Sequence, residues 1–138
     1  MLWKDIYELG VPSIDAQHKE LFQQVDNLLY SSSMHKTKET LDFLGNYVVE
    51  HFGHEEVLQA ESGYPKKEEH KKMHDDFIAT YIALRTEFDS HTGENELDTS
   101  KLSQVIMDWL KTHVLVADRE FAEYYKYYLQ QQSRLNAC

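Results

Sequence analysis

The chain has 138 residues, 41% of them hydrophobic, a formal net charge of −10 and a single cysteine, Cys138. That length suffices for one core without covalent staples, one cysteine excludes an internal disulfide or a thiolate metal cage, and the negative charge disfavours nucleic acid and anionic membrane surfaces. No apolar run approaches the roughly 18 residues needed to cross a bilayer, and the start lacks the basic-then-apolar layout of a secretory leader, so the expectation is one domain over 1–138, cytoplasmic and monomeric.

Glycine and proline are sparse, alternating β-branched stretches are absent, and helical periodicity dominates. After Gly10-Val11-Pro12, read as a stop, a first helix is expected from about Asp15 to Ser33, with Ile14, Leu21, Phe22, Val25, Leu28 and Leu29 on its apolar face and His18 on the same stripe. A second spans about Thr37 to Ser62 with Leu41, Leu44, Val48, Phe52 and Leu58 inward, and ends at Gly63-Tyr64-Pro65, a C-terminal glycine followed by a proline that cannot continue it. The third runs from about Lys66 to Ser90 on the stripe Met73, Phe77, Tyr81, Leu84 and Phe88. A polar loop, His91 to Glu96, precedes candidate N-caps Asp98, Thr99 and Ser100 and a fourth helix with Leu102, Val105, Ile106, Trp109 and Leu110 inward. A tyrosine-rich tail from Arg119 to Cys138 is expected to pack onto the bundle. Short connections make neighbours antiparallel, so the fold expected is all-α: an up-down-up-down four-helix bundle with an N-terminal arm and a C-terminal helical tail.

Eight histidines beside one cysteine raise the question of imidazole-bound metal, and spacing decides it. His51 and Glu55, and again His70 and His74, stand four apart, about 400° of helix, so each pair points one way. His18 lies on the first helix, and His113 and Asp118 on the fourth. Alone, such pairs read as solvated helix faces. These, however, continue stripes that face a core, where each unpartnered polar group costs roughly 1–3 kcal/mol, so a metal is the partner that makes them tolerable. His113 and Asp118 are five apart, about 140° out of register in a regular helix. Both reach one site only if the helix loosens into a π-type turn or breaks, which places an irregularity at about Val114 to Asp118.

Five imidazoles, two bridging carboxylates and one bridging oxygen would fill all but one position of two octahedral irons. Two tetrahedral zincs would leave this set oversupplied. Carboxylate-rich di-iron bundles use Glu-x-x-His pairs instead, which are missing here.

Together these residues resemble the hemerythrins, specifically the single-domain bacterial members. The resemblance covers nearly the whole chain: Trp3, the run Gly10 to Phe22, His51-Phe52-x-x-Glu55, His70-x-x-x-His74 and His113-Val114-x-x-x-Asp118. It implies that His70, His74 and His113 hold one iron and His18 and His51 the other. Glu55 and Asp118 would bridge the two ions with an oxo or hydroxo group, and dioxygen would bind reversibly at the open position beside His18 and His51. By position, Leu21, Phe52, Trp109, Leu110 and Val114 resemble the family's apolar oxygen-pocket wall, which keeps water out and is also plain core. His35, His54 and His91 are expected to be surface imidazoles, and Gln17 or Asp15 to support His18. The reading is a dioxygen carrier, store or sensor and not an enzyme. Peroxide or nitric oxide reduction at the same site, or iron handling, are the alternatives.

Overall fold

The structure, a computed structural model, describes residues 2–31, 33–90 and 99–136. Among the described residues a 3-10 turn, Asp5–Tyr7, precedes five helices: α1 Pro12–Leu29, α2 Met34–Ser62, α3 Lys67–Asp89, α4 Thr99–His113 and, after a π-helical turn at Val114–Asp118, α5 Arg119–Asn136. The first four form the antiparallel bundle, with α1 against α2 and α4, and α2 against α3. No strand occurs among the described residues, and no helix among them is long and apolar enough to cross a membrane. Asp98, the loop His91 to Glu96, Cys138 and the side chains of Thr99 and Ser100 lie outside the described residues.

The inward stripes become the core: Ile14, Phe22, Leu28, Leu41 and Phe121 are fully covered. Two expected core positions are exposed instead. Leu29, at the last turn of α1, is 38% exposed, and Met73 on α3 is 45% exposed. α1 also starts earlier than expected. Pro12 is its first residue instead of part of a stop, because a proline at that position gives up an N–H that has no helical partner anyway. α2 starts at Met34, capped by Ser33, whose hydroxyl accepts from the Lys36 N–H at 3.1 Å.

α2 stops where Gly63 turns left-handed (φ 66°), and the Tyr64 N–H returns to the Gln59 carbonyl at 2.9 Å. The N-terminal arm is strapped to α1 by Asp15, which accepts from the Leu9 and Gly10 N–H groups at 2.8 and 3.0 Å. Tyr7 and Trp3 then pack on Phe22, with ring centroids 4.7 and 5.5 Å away. The tail is seated by Tyr124, which donates to the Ser62 carbonyl at 2.7 Å, and by Tyr64 against Phe121 at 5.0 Å. Phe121, Tyr124 and Tyr125 of the tail therefore pack onto the bundle as expected, whereas Tyr127 is exposed.

Candidate metal centre

All seven side chains singled out by spacing converge in the middle of the bundle, and none is more than 5% exposed. α1 supplies His18, α2 supplies His51 and Glu55 one turn apart, and α3 supplies His70 and His74 one turn apart. α4 ends on His113. The π turn that follows adds one residue to the usual repeat, which swings Asp118 back under His113, with its Oδ1 3.1 Å from His113 Nε2. The five-residue spacing thus has the backbone irregularity it requires, at the predicted place.

Ligand atoms crowd together. His70 Nε2 lies 3.0 Å from His113 Nε2, His74 Nε2 is 3.1 Å from His113 Nε2, and His18 Nε2 is 3.2 Å from His51 Nε2. Glu55 Oε1 approaches His70 Nε2 at 2.7 Å and its Oε2 approaches His51 Nε2 at 3.3 Å. Asp118 does the same with its two oxygens, Oδ1 to His70 at 3.0 Å and Oδ2 to His18 at 3.0 Å. Despite these distances the carboxylate oxygens of Glu55 and Asp118, all buried, have no partner in hydrogen-bond geometry. Buried polar atoms are rarely left so, and lone pairs aimed at a shared point are what cations satisfy.

The donors sort into two overlapping groups, one of Glu55, His70, His74, His113 and Asp118 and one of His18, His51, Glu55 and Asp118, with the ligand atoms of each within 4.8 Å of one another. Glu55 and Asp118 belong to both. Such a set can hold metal, with three imidazoles on one side and two on the other.

Electrostatics prepare the cluster for ligation. Burial, then the neighbouring His18, lowers His51 to about 3, and burial with His113 and His70 lowers His74 to about 2, so both are neutral imidazoles near pH 7. Burial pushes the Glu55 carboxyl well above its ordinary value, and the adjacent Asp118 charge adds to it. Burial pushes Asp118 up too, but the charge of His113 and the close approach of the His113, His18 and His70 rings outweigh it and hold Asp118 well below.

Outer partners differ from expectation. Gln17 serves His51 across the helix pair, its Oε1 accepting from Nδ1 at 2.7 Å, and not His18 next to it in sequence. Asp15 is committed to the arm. Glu56, which sequence reasoning overlooked, faces His74 Nδ1 with its Oε2 at 3.3 Å. Its signal was available: it follows Glu55 by about 100° of helix, toward α3. His35 is exposed and pairs with Glu39 at 2.9 Å, whereas His54 is half-buried and shares a hydrogen bond with Ser13 Oγ at 3.1 Å.

Of the expected wall, Leu21, Phe52, Leu110 and Val114 are buried and Trp109 is half-buried. Phe52 stacks flat on His74, centroids 3.8 Å apart, and also meets His51 at 5.8 Å, so it touches both sides of the cluster. Trp109 stacks on His113 at 4.3 Å.

A family model described as the hemerythrin HHE cation binding domain matches residues 9–125. A bacteriohemerythrin of Stenotrophomonas maltophilia is 31% identical over 137 residues, covering 97% of this chain and 87% of the relative. One from Clostridium acetobutylicum is 32% identical over 133 residues, covering 88% of this chain and 98% of the relative. Among solved structures, a wild-type hemerythrin crystal structure superposes with a TM-score of 0.78 at 28% identity, covering 91% of this chain and 97% of that one.

Proposed function

The chain belongs to the hemerythrin family, and from that premise we propose that it is a non-enzymatic, reversible dioxygen binder built on two iron ions. The observation that carries this reading is the pair of donor groups sharing Glu55 and Asp118. His70, His74 and His113 would hold one ion and His18 and His51 the other, the carboxylates bridging. With one imidazole fewer, the His18–His51 side would leave room for a small ligand. Iron suits this donor number better than a tetrahedral zinc pair. When bound, the di-iron unit supplies the electrons that make dioxygen binding strong yet reversible.

The protein's own residues set the conditions. His51 and His74 are already neutral and need lose no proton to ligate. Gln17 and Glu56 fix their ring orientation. Leu21, Phe52, Leu110 and Val114 exclude water, which protects a reversible site from irreversible oxidation. No wall residue carries an ionisable group that could deliver protons, which favours binding over turnover of peroxide or nitric oxide.

Iron analysis with an optical spectrum tests the reading. The reduced protein should carry two irons per chain, colour in air and bleach when oxygen is withdrawn. Colour that never bleaches, or sustained consumption of peroxide or nitric oxide, overturns it.

A further inference from the structure

A cluster this deeply buried needs a path for its ions, and among the described residues two surface crevices include a cluster residue in their walls. One, about 180 Å³, is apolar: Met73, Trp109, Thr112, Val116 and Ala117 surround His113. The other, about 150 Å³, shares Met73, Val116 and Ala117 with it but sets Tyr64, Lys66, Glu69 and Glu120 around His70. A hydrated cation cannot shed its water against apolar walls without cost, so the crevice that offers it two carboxylates suits it better. The carboxylates of Glu69 and Glu120 flank the crevice, and His70 reaches it from the cluster. Behind His70 wait the buried, unpartnered oxygens of Glu55 and Asp118, at 2.7 and 3.0 Å from its Nε2.

The backbone there is built to open. His70 sits in the first turn of α3, which begins at Lys67 and has no side-chain cap at Lys66. Uncapped first turns fray readily. At the surface this turn is tied to α5 by the half-exposed ion pair from Lys66 Nζ to Glu120 Oε1, at 2.5 Å.

We propose that this crevice is the route by which a divalent cation enters and leaves the cluster, with His70 the first ligand it meets and the Lys66–Glu120 pair the latch. The proposal rests on the metal-binding reading above. A latch has a kinetic signature: releasing it speeds entry and exit alike and leaves the equilibrium where it was.

Co(II) uptake by metal-free protein, and its release from loaded protein to a chelator, measure both directions. Lys66→Gln should raise both rates by about two- to fivefold, the bias an exposed ion pair can exert, with an unchanged Kd. Glu69→Gln should slow uptake. Arg85→Gln breaks an ion pair between α3 and α2 that lines neither crevice, from Arg85 to Asp42 at 2.7 Å, and should change neither rate. Unaltered rates in Lys66→Gln, equal acceleration in Arg85→Gln, or a Kd shift from faster release alone overturns the route. Protein that takes up no Co(II) overturns the metal-binding reading itself, and the route with it.

Discussion

An imidazole that ligates through one nitrogen is aimed by whatever its other nitrogen meets. For His51 that is Gln17, whose carbonyl oxygen sits 2.7 Å from Nδ1 and fixes the tautomer with Nε2 free to ligate. Gln17→Leu removes the acceptor and keeps the bulk. Metal affinity should fall by about 10- to 100-fold, the usual effect of losing such a partner, measured by competition with a chelator. Gln17→Glu retains an acceptor and should retain affinity, and a leucine variant of native affinity would deny Gln17 this role. The wall makes a separate demand. Leu110 is 6% exposed and ligates nothing. Leu110→Ala should keep the iron but speed autoxidation by admitting water, and an unchanged autoxidation rate would remove Leu110 from the wall.

Element by element, the helices do two kinds of work. α1 to α3 present ligands by plain repeat, and that part of the site was legible because residues four apart must share a face. The fourth helix was legible for the opposite reason: five residues between His113 and Asp118 cannot share a face unless the backbone yields, and it yields as a π turn over Val114–Asp118. Less legible were contacts between helices. That Gln17 serves His51 and not its neighbour His18 depends on how α1 crosses α2, which one helix's periodicity does not carry. Met73 misled for a related reason, since it lines the crevice between α3 and α4 while Phe77 and Phe88 of the same stripe enter the core. Pro12 misled because a proline ends a helix in its interior but begins one at its first position. Gly63, by contrast, was readable as a terminator, and it can be tested. An added Cβ would meet nothing nearer than the Tyr124 hydroxyl at 3.9 Å, so Gly63→Ala should suffer only from the left-handed backbone. A cost of about 1–2 kcal/mol should appear as a drop of several degrees in Tm, with metal content unchanged. A variant as stable as the native protein would mean that the chain can end α2 without a left-handed residue.

At the scale of the whole molecule, the metal cluster and the fold share their energetics. Seven polar side chains occupy the bundle centre, so ions that satisfy them bind the folded state alone and stabilise it by mass action. Chelation should therefore lower Tm. The metal-free protein should also be acid-sensitive, and the sign follows from where protons bind. His51 at about 3 and His74 at about 2 stay neutral when folded, whereas the unfolded chain takes up both protons near 6.5. Between those limits the unfolded state holds more protons, so stability present above pH 6.5 is lost as the pH falls toward 3. Glu55, held above its ordinary value, opposes this loss by gaining its proton early in the folded state. It is one group against two, and Asp118, held low, joins the histidines at the acid end. Thermal melts of chelator-treated protein should thus show Tm falling from pH 7 to pH 5. The loaded protein should begin higher and fall as well, because protons compete with metal for the same nitrogens. A flat Tm across that interval in the metal-free protein would mean that His51 and His74 do not sit buried and neutral, which would remove the physical reason for placing an ion between them.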